Sequence, residues 1–150
     1  MKIALGSDHA GWELKEEIKK FLSIQKVDYK DFGPYNEESV DYPDYAEKVC
    51  ESVVTGKFDR GILVCGTGIG MSIAANKIKG IYAALVDNTF SAEMSIKHNN
   101  SNVLVMPGRL IGKTLADEIV KTWLKAAYEA GRHDKRNDKV KALEGKNLIK

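Results

Sequence analysis

Short apolar runs alternate along the chain with longer segments in which apolar residues return every three or four positions. Ile3–Leu5 opens as a strand, and Leu14, Ile18, Phe21 and Leu22 follow at helical spacing. Val27–Phe32 reads as a weaker strand, leading into the loop GPYNEESVDYP. Pro43 suits a first helical turn, and Tyr45, Ala46, Val49, Cys50, Val53 and Val54 make the stripe of a second helix. Gly61–Cys65 predicts a strand, Ser72–Ile78 a helix, Ile81–Val86 a strand, Phe90–Lys97 a helix and Val103–Met106 the fifth strand. Leu115, Ile119, Val120, Trp123 and Leu124 predict an amphipathic helix ending near Gly131, and the tail from Arg132 offers one more.

Continuous apolar strands separated by helices indicate a parallel sheet covered on both faces. Right-handed crossovers then give an α/β fold: a three-layer α/β/α sandwich with a doubly wound, five-stranded parallel sheet, Rossmann-like in outline. No repeat, low-complexity tract or linker interrupts residues 1–150, so the reading is one domain with a basic helical tail from about residue 132. In such folds the ligand lies beyond the carboxyl ends of the strands. That rule selects Ser7-Asp8-His9, Cys65 with the glycines after it, Asp87-Asn88, and Pro107-Gly108-Arg109.

Size and composition narrow the picture. A chain of 150 residues, 43% hydrophobic, buries ~70% of its unfolded surface, enough for one core. No apolar run approaches the ~20 residues of a membrane span, and MKIALGSDHAG is too short in apolar residues for a signal peptide. Cys50 and Cys65 fit no metal or redox spacing, which favours a reduced, cytoplasmic setting. The net charge of +2 does not call for nucleic acid, although the tail RHDKRNDKVKALEGKNLIK carries seven Lys/Arg against three acids.

The stretch CGTGIG asks for an explanation. Gly66, Gly68 and Gly70 permit positive φ and close backbone approach, and the helix that follows aims free N–H groups at an anion. A tight strand–helix turn alone needs fewer glycines. A dinucleotide site competes, because Asp87 stands where a ribose-binding acid would; the spacing, however, is not G-x-G-x-x-G. No Gly-Lys-Ser/Thr follows to make a P-loop. A cysteine phosphatase keeps an arginine six positions after its nucleophile, where this chain has Met71.

Cys65 ends a strand at a helix mouth, a place that stabilises thiolate, although cysteines in apolar strands commonly serve as small core residues. Cys50, inside a helical stripe, has only that second reading. His9, His98 and His133 fall at predicted loop or helix ends, and His98 is equally readable as a helix C-cap. Arg132 and Arg136 share a face if the tail is helical. Solvated surface charge is their ordinary explanation, though guanidinium pairs also match phosphate.

Five blocks in order, SDHAG, DYPDYA, CGTGIGMSIAANK, HNNSNVLVMPGR and GRHDKR, resemble ribose-5-phosphate isomerase B and its wider family of galactose- and allose-6-phosphate isomerases. The similarity spans nearly the whole chain. It implies isomerisation of ribose 5-phosphate and ribulose 5-phosphate through an enediolate, with no metal or cofactor. A six-carbon sugar phosphate is the alternative substrate, and a nucleotide-binding regulatory module the alternative class. By this resemblance Cys65 is the base moving a proton between C2 and C1, His98 the acid of ring opening, and Thr67 a candidate for the same step. Asp8, His9, Asn99, Arg109, Arg132 and Arg136 match substrate ligands, the arginines mainly at phosphate. The loop Gly66, Thr67, Gly68, Ile69 and Gly70 matches the cradle of the enediolate. One branch of the family places a glutamate at the Met71 position and lacks the cysteine; this sequence looks like the cysteine branch. The resemblance further implies a homodimer, or a dimer of dimers, with each site completed by two chains.

Overall fold

The strands alternate their side chains between two apolar layers. In β1 (Lys2–Ser7) Ile3 and Leu5 face one layer and Ala4 the other; in β3 (Arg60–Cys65) Ile62 and Val64 oppose Leu63 and Cys65. β5 (Val103–Pro107) repeats the pattern with Leu104 and Met106 against Val103 and Val105. All of these residues are buried, as central strands covered on both faces require. The computed structural model describes residues 1–147. The shorter strands β2 (Asp28–Asp31) and β4 (Ala83–Leu85) form the edges of an all-parallel sheet ordered β2-β1-β3-β5-β4.

Helices α1 (Trp12–Ile24), α4 (Thr89–Lys97) and α5 (Lys113–Lys125) cover the layer that contains Ile3. Helices α2 (Tyr42–Val54) and α3 (Ile69–Ala75) cover the layer that contains Ala4. Trp123 anchors the first layer, fully buried, with its indole N–H donating to Ser101 Oγ at 3.3 Å. Burying a large apolar side chain stabilises by roughly 1.5–3 kcal/mol, and the hydrogen bond lets the indole enter without an unpaired donor. The chain thus forms the doubly wound three-layer sandwich that its pattern predicts. Its switch point lies between β1 and β3, because the chain leaves β1 for β2 on one side and returns to β3 on the other.

Three elements differ most in their bounds from the sequence pattern. Helix α3 begins at Ile69 rather than Ser72, because Gly68 takes a left-handed conformation (φ 77°) and its carbonyl accepts the Ser72 amide at 3.0 Å. Helix α5 stops at Lys125 rather than near Gly131. Ala126 turns extended there, and the Arg60 guanidinium caps the helix by donating to the Trp123 and Ala126 carbonyls at 2.8 and 3.4 Å. Strand β4 is also shorter than Ile81–Val86. The tail is helical as α6 (Asp134–Asn147), entered through a 3₁₀ turn at Gly131–His133; residues 148–150 of the predicted tail lie outside the described residues. No helix among the described residues is long and apolar enough to cross a membrane.

Backbone proximity joins the switch point. A Cβ on Gly11 would stand 2.4 Å from the Val64 carbonyl oxygen, so the turn entering α1 packs directly against β3. The same approach lets the Asp8 amide donate to the Val64 carbonyl at 3.1 Å. Strand β1's end and strand β3's end are therefore locked side by side.

Candidate active site

At the carboxyl ends of the strands the glycine loop folds around its cysteine. The Gly68 amide donates to Cys65 Sγ at 3.2 Å, and the Ile69 amide to Thr67 Oγ1 at 3.3 Å. Gly68 takes a positive φ that L side chains rarely adopt, and a Cβ there would meet Leu85 Cδ1 at 2.2 Å, so that side chain would also have to shift. The amides of Gly66 and Thr67 have no protein acceptor among the described residues. The turn after β5 holds the loop from outside, with the Gly108 amide on the Cys65 carbonyl at 2.8 Å and the Arg109 amide on the Gly66 carbonyl at 3.0 Å. The exposed Arg109 side chain lies across Gly66.

Asp8 and His9 complete this end. Asp8 is almost fully buried and caps a 3₁₀ turn (His9–Gly11), its Oδ1 accepting the Gly11 amide at 2.8 Å. His9 Nδ1 accepts the Val40 amide at 3.3 Å, which places the proton of the neutral ring on Nε2. His9 and Arg109 also border an open groove of about 670 Å³ that adjoins the cysteine without including it. The two cysteines sit in different surroundings. Burial inside α2 pushes the Cys50 thiol up to about 12, so it stays protonated, whereas Cys65 has an amide donor at its sulfur.

The other sequence-predicted residues gather at the opposite end of the sheet. Helix α4 runs back from β4, so its C-cap, His98, and the exposed Asn99 lie near the start of β5. The 3₁₀ turn before α6 brings its residues to the same place. His98 stacks on His133 with centroids 4.3 Å apart, and Asn137 Nδ2 donates to the His98 carbonyl at 3.1 Å. Arg132 and Arg136 are exposed and successive on one face, with the Arg136 guanidinium on the Arg132 carbonyl at 3.3 Å. Ala130 enters this turn at φ 54°, a conformation costing a non-glycine residue about 1–3 kcal/mol. His98 is thus both a helix cap and a member of a polar cluster. Cys65 lies beside Pro107 at the far end of β5 and His98 before its start, so they stand apart by about the length of that strand, roughly 15 Å.

Several members of these clusters escape sequence reasoning. His133 lies inside the GRHDKR block, yet nothing in its spacing marks it. Its Nε2 accepts a bond from Arg132 Nε at 3.3 Å; burial, then His98, then Arg132 hold its proton affinity below the ordinary histidine range. Glu129 sits 3.8 Å from that nitrogen. Tyr42, in the DYPDYA block, lies against Gly70, where a Cβ would meet its ring at 2.7 Å. His98, Glu129 and His133 also bring one ligand atom each within 4.8 Å of one another. The nitrogen lone pairs that would bind a metal lie in the imidazole planes, however, and these planes are nearly parallel, at 15°. No nearby point lies in both planes, and Arg132 occupies one nitrogen, so the set is not a preformed chelate.

Fold and site together define a class: a doubly wound α/β protein with a thiol and a glycine-amide cradle at its switch point. Residues 3–140 match the model of the Ribose/Galactose Isomerase family. Ribose-5-phosphate isomerase B of Escherichia coli is 47% identical over 143 residues, covering 95% of this chain and 96% of that one. A solved structure of ribose-5-phosphate isomerase B from Clostridium thermocellum superposes with a TM-score of 0.96 at 50% identity, covering 98% of this chain and 99% of that one. The Mycoplasma genitalium enzyme, solved with bound ribulose 5-phosphate, gives 0.90 at 40% identity, with 96% of each chain covered. The chain belongs to the ribose/galactose isomerase family.

Proposed function

We propose that this chain interconverts ribose 5-phosphate and ribulose 5-phosphate through an enediolate, with Cys65 as the base. The observation that carries the assignment is the cysteine sulfur held by the Gly68 amide inside a loop of glycines. The proton on C2 of the open aldose passes to the thiolate; its bonding pair enters C1–C2, and the carbonyl pair moves onto O1. Delivery of that proton to C1, with transfer of the hydroxyl proton from O2 to O1, leaves the ketone at C2. Negative charge develops on oxygen next to the Gly66–Gly70 amides. Preorganised donors of this kind supply roughly 3–4 kcal/mol each.

Ring opening needs an acid, and phosphate needs cations. His98, with Thr67 assisting, and the pair Arg132 and Arg136 have the chemistry, but in one chain His98 and the arginines occupy the pole away from Cys65. We infer that a second copy supplies His98, Asn99, Arg132 and Arg136 to the Cys65 loop, while Asp8, His9 and Arg109 come from the same chain as the cysteine. Two free, buried thiols suit a reducing cytoplasm as the place of work.

The substrate assignment is tested by assaying ribose 5-phosphate, allose 6-phosphate and galactose 6-phosphate side by side. Ribose 5-phosphate should give the highest kcat/KM; turnover of a six-carbon phosphate with ribose 5-phosphate inert would overturn it. The phosphate role is tested by Arg136→Ala. Loss of one charge-assisted contact costs about 1.5–3 kcal/mol, so kcat/KM should fall roughly ten- to a hundredfold. Lys146→Ala, near the far end of α6, controls for net charge and should behave as wild type. Steady-state kinetics in which the two variants match would move the phosphate site elsewhere.

A further inference from the structure

Lys15 is fully buried on α1, an unusual place for an ammonium. It donates to Asp31 Oδ1 at 2.8 Å and to the Pro34 carbonyl, and lies 5.6 Å from the centre of the Tyr35 ring. Asp31 is held from its other side by Lys19 at 2.9 Å. Burial pushes the Lys15 ammonium below the ordinary lysine range, and Asp31 opposes that shift. A buried ion pair adds little stability over apolar packing; its best-attested use is to fix one arrangement.

What this pair fixes is the root of the loop between β2 and α2. Asp31 Oδ1 also accepts the Gly33 amide at 2.8 Å, and the Gly33 carbonyl accepts the Ser7 amide at 3.0 Å, one residue before Asp8. Gly33 and Pro34 are buried; Tyr35 to Ser39 are exposed. After this exposed arc the loop returns to the switch point, where the Val40 amide donates to His9 Nδ1. Lysine and histidine thus hold the two ends of one loop.

We infer that Lys15 is a positioning residue: by clamping Asp31 and Pro34 it seats the loop whose Val40 amide sets the tautomer and orientation of the His9 ring. The use of that ring as a substrate ligand rests on the function proposed above; its seating does not. The charge belongs where it is because an apolar side chain could fill the space but could not hold a carboxylate and a carbonyl at once.

The test is Lys15→Met, read by nitrogen NMR of labelled histidines, with His9 assigned by its loss in His9→Asn, and by steady-state kinetics. Wild type should show His9 protonated on Nε2. In Lys15→Met the ring should average between tautomers, and KM for ribose 5-phosphate should rise roughly tenfold, as small misplacements of binding groups do, with a smaller change in kcat. Asp31→Asn should move both readouts in the same direction by less, and serves if Lys15→Met does not fold. Ile18→Ala, fully buried in the apolar layer on the same helix, lowers stability while leaving the Lys15–Asp31 pair intact and should keep wild-type His9 signals and KM. Unchanged His9 resonances in the folded clamp variants, or the same change in Ile18→Ala, overturn the inference. Altered resonances with wild-type KM, in both Lys15→Met and His9→Asn, would uphold the seating and remove His9 from the substrate ligands.

Discussion

Cys65→Ala should leave a folded protein that binds sugar phosphate and isomerises it in neither direction. A positioned base is worth on the order of a hundred- to ten-thousandfold, and the only other cysteine has its thiol pushed up to about 12 inside α2. The substitution removes one sulfur atom from a 5% exposed site, and a deletion of that size costs about 1 kcal/mol of stability. Thermal denaturation should therefore move by only a few degrees while turnover falls at least about a hundredfold. Solvent deuterium should also cease to enter C1 of ribulose 5-phosphate, because the same base serves both directions. Cys50→Ala is the control and should retain activity. Isomerisation by Cys65→Ala within a few-fold of wild type would sink the assignment of the base.

A second result tests the division of the site. Cys65→Ala and His98→Asn should each be nearly inactive on cyclic ribose 5-phosphate when pure, yet regain activity when co-expressed. If Cys65 of one chain works with His98 of another, a mixed pair contains one site with both substitutions and one with neither. Random pairing makes half of the dimers mixed, each with one intact site of two, so about a quarter of wild-type activity should return. Differently tagged copies, purified through both tags, would concentrate the mixed species to about half of wild type. His98→Asn alone should retain more activity on ribulose 5-phosphate, which has no five-membered ring to open because its C5 oxygen carries the phosphate. Purified mixed pairs as inactive as either parent would mean that each site is built from one chain.

The fold was legible because buried parallel strands leave a continuous apolar signal, as in Ile3–Leu5 and Val103–Met106, and the amphipathic stripes of α1, α2 and α5 keep helical period. The boundaries were less legible where backbone chemistry overrides side-chain period. Gly68 starts α3 early through a left-handed turn, and Arg60, distant in sequence, ends α5 by capping its last carbonyls. Residues at strand ends, from Asp8 to Arg109, could be grouped from topology alone, since a parallel sheet collects them at one edge. His98 and the arginines defied that rule because they follow helices rather than strands, so one chain carries them to the other edge. His133 was hidden for a related reason: its importance is a contact made across the fold with His98, and no local periodicity encodes such a contact. The hold of Lys15 on the His9 loop was equally silent, because on the helical wheel Lys15 is simply another polar position.

The placement of Cys65 and His98 at opposite poles of one chain, if they share the roles proposed above, also changes what quantity governs turnover. On this reading, a solitary folded chain contains every group the reaction uses and remains inert, since Cys65 and His98 lie at opposite ends of its sheet. Output then depends on encounter: at dilutions where pairs dissociate, specific activity falls with concentration, and its return follows second-order kinetics in the chain. Synthesis of the protein and appearance of its catalysis are thereby separated by an association step, and a cell making only a few copies would possess the polypeptide before it possessed the enzyme.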